Sequence, residues 1–315
     1  MSNVAVITDS TASLPTEMYA RYEILMVPYY IHFPDGTSRR DVTEVGAEEF
    51  VAYLASLPDD ARLPKTANPG VGDYERAYDQ AAERSDRILS LHMTSKGSGA
   101  YQAALVAREG VLSRLRGVRI EVIDTRNVSM GHGWVALQAA RAAAAGADLE
   151  EILQLVKRMI PVTRMIQTAD TLRYLYMGGR IGQAQYLMGS LLRIRPLVSM
   201  EDGEIVALGV ARTRSGAYRR MAELVERAVG RRGRIRLALT HADAEEDARR
   251  LASLVGEVVT ITETLYCPLP PTLAVHSGPG TVGLCYTPSD LSEFGQRLVG
   301  REEANAGQRE AIVGR

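Results

Sequence analysis

Cysteine and tryptophan are almost missing from this chain of 315 residues, which has two cysteines, Cys267 and Cys285, and one tryptophan. Each cysteine sits among apolar neighbours without metal-ligand spacing, so neither a disulfide framework nor a cysteine metal site is read here. Net charge is close to nil, with 37 Lys and Arg against 38 Asp and Glu. That balance removes the broad basic field on which nucleic-acid binding relies. The basic runs Arg212–Arg220 and Arg231–Arg236 are local and read as solvated helix faces. No apolar run approaches the roughly 20 residues of a membrane span, and no signal-peptide pattern opens the chain. A cytoplasmic protein is expected. Walker A, His-Glu-x-x-His and G-x-S-x-G patterns are all lacking. Gly131-His132-Gly133 with Ala136 mimics a dinucleotide fingerprint, but it lies seven residues past the strand ending at Asp124. A fingerprint needs its glycines directly at the strand-to-helix turn.

What is present is a regular alternation. Val4–Ile7 is a short β-branched run of the kind buried on both faces of a parallel sheet, and its polar end leads toward a helix. Ser13 is the N-cap candidate, with Pro15 and Glu17 in the first turn. Further strands are predicted at Ile24–Ile31, Arg87–Met93 and Ile120–Ile123, with helices at Glu48–Leu57, Gly72–Glu83, Ala100–Val111 and Gly133–Ala145. That order argues a doubly wound parallel sheet. After a helix at Leu149–Met159, strands at Thr163–Thr168, Leu197–Met200, Ile205–Arg212, Arg234–Thr240, Val258–Thr264 and Thr281–Tyr286 make a second α/β unit with antiparallel pairs. The expected fold class is α/β in two parts. Residues 1–158 form the first domain and 159–290 a mixed-sheet second domain, with the ligand between them; 291–315 is a polar tail read as disordered.

Two polar segments carry the functional signal. Pro64-Lys65-Thr66-Ala67-Asn68-Pro69-Gly70 reads as a loop, and Thr94-Ser95-Lys96-Gly97-Ser98-Gly99 follows a predicted strand. Both place hydroxyls beside Gly or Pro, where backbone N–H groups can converge on an anion. On local sequence alone, capping and turn chemistry accounts for Thr66, Ser95 and Ser98 equally well. Ser98 between glycines invites a hydrolase reading, but no catalytic base can be assigned to it. His32, His92, His132 and His241 read as surface or satisfied core residues. His276 differs, because glycines on one side leave its ring accessible at a loop.

Taken in order, these segments resemble the DegV family. Thr66-Ala67-Asn68-Pro69-Gly70 matches that family's Thr-Ser-Gln-Pro-Ser at the threonine. Thr94–Gln102 keeps Ser95, Ser98, Gly99, Tyr101 and Gln102 of Ser-Ser-Gly-Leu-Ser-Gly-Thr-Tyr-Gln, with Lys96 and Gly97 departing from it. Val122-Ile123-Asp124-Thr125, Asp170–Leu175 ahead of Gly178-Gly179-Arg180-Ile181, and His276-Ser277-Gly278-Pro279-Gly280 complete the set. The resemblance implies a lipid-binding carrier, not itself an enzyme, that takes a long-chain fatty acid as ligand and needs no cofactor or metal. Thr66, Thr94, Ser95, Ser98 and His276 would then surround the carboxylate, and Arg180 would meet phosphate or a partner. That partner would be a separate ATP-dependent fatty acid kinase subunit, which makes an acyl phosphate for phospholipid metabolism; transient membrane contact is compatible with this role. Two other readings stay open: a small-molecule phosphotransferase or hydrolase using His276, and a lipid-sensing regulator.

Overall fold

The computed structural model describes residues 4–58, 60–189 and 194–290. The tail expected at 291–315 lies outside the described residues. In chain order the first seven strands are β1 (Ala5–Asp9), β2 (Leu25–Val27), β3 (Tyr30–His32), β4 (Ser38–Arg40), β5 (Lys65–Ala67), β6 (Arg87–His92) and β7 (Arg119–Asp124). The next six are β8 (Arg164–Thr168), β9 (Arg195–Glu201), β10 (Glu204–Ala211), β11 (Arg234–His241), β12 (Thr260–Pro268) and β13 (Val282–Pro288). Helices α1 (Thr16–Arg21), α2 (Ala47–Ser56), α3 (Val71–Ala82), α4 (Ala100–Arg114), α5 (Met130–Ala144) and α6 (Leu149–Met159) belong to the first half. The second half carries α7 (Arg173–Met177), α8 (Arg214–Val229), α9 (Glu245–Val258) and α10 (Pro271–Ser277).

The first sheet is wholly parallel, in the order β2-β1-β6-β7. Helices α3 and α4 pack on one face through Tyr74, Tyr78, Ala100 and Ala104, and α5 and α6 cover the other. The strand order reverses between β1 and β6, and the crevice at the carboxyl ends of such strands is where open α/β sheets bind ligands. The second sheet runs β10-β9-β8-β13-β11-β12, with only β11 and β12 parallel. One face is covered by α8 and α9; the other contributes Met165, Met200, Ala238, Cys267 and Cys285 to the core around α5.

Several expectations are corrected here. Ile24–Ile31 is not one strand. Pro28 cannot continue the ladder, so the run divides into β2 in the parallel sheet and β3 in a separate antiparallel sheet of order β4-β3-β5. Thr66 accordingly lies on a strand, opposite Ile31, and not in a loop. Ser13 does not cap α1; it adopts a left-handed backbone and sends its hydroxyl toward the Thr11 carbonyl and Ser129.

Helix α5 is the hinge of the architecture, with eleven of its fifteen residues buried. Trp134 is fully buried and its indole N–H donates 3.1 Å to the Cys285 carbonyl of the second sheet. Gly133 allows the Ala12 backbone to lie directly against the helix, since a Cβ would enter the Ala12 carbonyl oxygen. The glycines that imitate a nucleotide fingerprint are therefore packing glycines. Gly133→Ala should lose about 3 kcal/mol or more in denaturant unfolding. Gly110→Ala, whose Cβ meets only the flexible end of Glu75, should be neutral to slightly stabilising through helix propensity. Equal effects of the two would overturn this packing account.

Asp41 ties the small sheet to α10, accepting from the Ser10 hydroxyl at 2.7 Å and the Thr272 N–H at 3.2 Å. Burial pushes its carboxyl up from 3.8 to about 6. Between those values the folded chain holds a proton that the unfolded chain has lost. The stability from this site is thus full at low pH and falls as pH rises through that window. Relative to Asp41→Asn, the wild type should lose about 2 kcal/mol in unfolding free energy between pH 4 and pH 7. A difference that stays flat with pH would rule it out.

Candidate functional site

Beyond the carboxyl end of β6 lies a cavity of about 250 Å³, walled by the segment that follows β6, by β5 of the small sheet, by β8, β9 and β10 of the second sheet and by α10. Met93, Val128, Met165, Leu175, Val198, Met200 and Ile205 form its apolar lining. Its polar groups include Tyr29, Thr66, Ser98, Thr272, His276 and Ser277, with Arg180 and Lys96 exposed where it opens.

The polar groups come in pairs. Thr66 Oγ1 lies 2.9 Å from His276 Nε2, joining β5 to the last turn of α10 across 210 positions of sequence. His276 is therefore on a helix and partly buried, not at an open loop. Among the described residues its Nδ1 has no hydrogen-bond partner. Burial, with the Arg180 charge added, brings the imidazole down to about 4, so the ring is neutral near pH 7. A proton on Nε2 donates to Thr66 and leaves the threonine's own hydrogen for the cavity. Ser98 Oγ lies 2.7 Å from the Tyr29 hydroxyl and also accepts the Ala100 N–H at 3.2 Å. Burial raises Tyr29 well above its ordinary value, so it stays a neutral phenol.

Two close approaches explain the later motifs. A Cβ on Gly178 would run into the His276 ring, and one on Gly278 would run into the Tyr174 ring. Helices α7 and α10 thus interlock, each glycine receiving a ring from the other segment. Gly179, at φ +68°, then turns the chain so that Arg180 reaches the opening, where its guanidinium donates 2.7 Å to the Gly178 carbonyl.

Of the residues singled out in the sequence, Thr66, Thr94, Ser98, Arg180 and His276 all line this cavity. Ser95 does not. It is exposed and lines an open pocket at the same opening, with Ser98 and Arg180 and beside Tyr101 and Gln102, and its N–H donates to Asp124 at 3.2 Å. Thr94 is buried, and its hydroxyl donates 2.8 Å to the Gly203 carbonyl at the β9–β10 turn. With the Lys96–Glu204 pair at 3.3 Å, it fastens the loop after β6 to the second sheet. Tyr29, Thr272 and Gln167 also line the cavity and escaped the sequence reading. Each sits outside any motif, and its position depends on which sheet its strand or helix joins.

Among the described residues no helix is long and apolar enough to cross a membrane, and no group of three or more His, Cys, Asp or Glu is arranged for a metal ion.

The family model described as "Uncharacterised protein, DegV family" matches residues 3–289. A DegV domain-containing protein of Deinococcus radiodurans is 32% identical over 287 residues, covering 91% of this chain and 99% of that one. Among solved structures, a DegV family protein from Thermus thermophilus described by its fatty acid binding superposes with a TM-score of 0.83 at 30% identity, covering 91% of this chain and all of that one. DegV of Bacillus subtilis, described as a fatty acid binding protein, gives 0.79 at 28% identity over 92% of this chain and 100% of its own. With the family pattern and the fold shared along nearly the whole described length, this chain belongs to the DegV family.

Proposed function

We propose that this chain binds a long-chain fatty acid in the cavity between its two large sheets. It presents the carboxylate at the polar opening to a separate ATP-dependent kinase subunit. The observation that carries this reading is the division of the cavity: an apolar wall of methionine and aliphatic side chains, and a polar end of neutral hydroxyls beside a neutral imidazole. Each methylene buried against the first gains about 0.8 kcal/mol. A carboxylate at the second receives hydrogen bonds without being locked against a buried cation, so an oxygen stays available to a partner. Fatty acid binding is what the Thermus thermophilus and Bacillus subtilis relatives are described as doing.

Arg180, exposed at the opening, suits an acyl phosphate or a docking kinase through its fixed fork of donors. Tyr176, Met177 and Tyr186 are exposed in the neighbouring segments and offer an apolar surface for transient contact with a membrane. A cytoplasmic location fits such a cycle. The hydrolase reading is weaker, because among the described residues no carboxylate bonds to Nδ1 of His276 to orient the ring.

Mass spectrometry of gently purified protein should find a stoichiometric long-chain acid; an empty cavity or a bound nucleotide would sink the reading. Thr66→Ala and Ser98→Ala should each weaken acid retention by about 1.5–3 kcal/mol. Ser95→Ala should leave retention unchanged, and a costly Ser95→Ala beside a silent Ser98→Ala would reverse the assignment within that loop.

Arg180→Ala should separate binding from turnover. Hydroxyls can hold the free acid, whereas the acyl phosphate carries more charge and the kinase must dock over the same opening. Lipid retention should fall modestly while kinase-dependent acyl-phosphate formation drops far more. Equal losses would make Arg180 a carboxylate ligand, and no change in either would return it to the solvated surface.

A further inference from the structure

One polar side chain inside the cavity stands apart from the paired groups at its polar end. On β8, Met165 and Gln167 share the face turned to the cavity, while Ile166 on the opposite face joins the core under α8 and α9. Gln167 is only 9% exposed and lines the cavity. Its register neighbours are Val198 on β9 and Gly283 on β13, so nothing beside it in that row can give or take a side-chain hydrogen bond. Among the described residues its amide has no hydrogen-bond partner.

Most other polar groups of the lining are engaged with protein, and the unpartnered Nδ1 of His276 is closed off against Gly178. The hydroxyls of Thr66, Thr94, Ser98, Ser129 and Ser277 reach His276, the Gly203 carbonyl, Tyr29, Ser13 and the Leu273 carbonyl respectively. The Thr272 hydroxyl is enclosed by protein on the side of the Asp41 carboxylate. Gln167 is thus a buried amide with two donors and one acceptor oxygen aimed at whatever fills the space. An unsubstituted hydrocarbon chain packed against it would strip its hydration and return nothing.

We propose that Gln167 is a specificity-determining residue that recognises an oxygen function carried on the acyl chain. The preferred ligand would then be a long-chain acid bearing a hydroxyl or carbonyl group along its length. This rests on the fatty-acid reading given above and names the class of acid within it. A hydroxyl both gives and takes a hydrogen bond, so it suits an amide better than a methylene does, and a site built for such a group discriminates against the analogue that lacks it.

The test is a competition on the full, delipidated chain between stearate and a series of hydroxystearates with the hydroxyl at successive positions, the bound ratio being read by native mass spectrometry. Wild type should favour at least one hydroxystearate by about tenfold. Gln167→Leu should abolish that preference and hold stearate at least as well as wild type, since its pocket no longer leaves an amide unpaired. Gln167→Met, unbranched and of similar length, gives the same comparison if the leucine variant does not fold. A bound ratio that is the same in wild type and variant, or no preference at any hydroxyl position, overturns the proposal while leaving fatty-acid binding intact. Weakened retention of both acids by the variants also overturns it, because the amide would then serve the carboxylate. If wild type retains no acid of either kind, the fatty-acid reading falls and this inference with it.

Discussion

One buried helix, α5, is packed between the two large sheets, and the segment that leads into it, Val128–Ser129, forms part of the cavity wall. Helix α5 packs against β1 and β6 of the parallel sheet and against β8 and β13 of the second, in one core that includes Cys267 and Cys285. Polar ties reinforce both sides. The Trp134 indole reaches the Cys285 carbonyl, and Arg141 makes a two-pronged ion pair with Glu263 on β12. A side chain as large as tryptophan, buried with its single donor satisfied, sets a distance that smaller residues could not.

The strand ends at that space are fixed by buried polar chemistry. Asp9, the last residue of β1, accepts from the Thr11 N–H and hydroxyl and from the Met93 N–H. The rings of His92 and His132 face it at 3.5 and 4.0 Å. Burial works to raise its carboxyl, but His132, His92 and Thr11 together hold it below the ordinary carboxylate range. Because β1 and β6 are bound to each other through this group, the segments leaving them, Ser10–Ser13 and Met93–Gly99, start from fixed positions. The site borrows its rigidity from a cluster that does not itself line the cavity.

At the polar end, neutrality is the governing property. His276 is kept uncharged, Tyr29 stays a phenol, and the exposed cations stand at the opening. A buried cation would hold a carboxylate tightly and would resist giving it up. Neutral donors bind by geometry and leave the exchange of ligand and access of a partner open, which is the balance the proposed carrier role asks for.

Local chemistry determined much of this protein directly from sequence. Apolar β-branched runs identified the strands of the parallel sheet, Asp148 and Glu151 form the capping box that begins α6, and Glu201–Glu204 forms the β9–β10 hairpin turn. These signals are legible because each depends on a few neighbouring residues. The DegV motifs likewise pointed to Thr66, Ser98, Arg180 and His276, all of which line one cavity. What sequence could not decide was which strands pair and which way each side chain faces. Thr66 meets His276 only because β5 pairs with β3 and α10 packs beneath them. Ser95 turns outward while Thr94 stays buried because the chain turns there, the Gly97 N–H donating 3.1 Å to the Thr94 carbonyl. Gln167 faces the cavity because alternate residues of β8 point to opposite sides, and Tyr29 reaches Ser98 only after Pro28 has moved the chain from one sheet to another. Those outcomes come from packing between segments far apart in sequence, where the free energy is shared among many weak contacts and no local pattern records it.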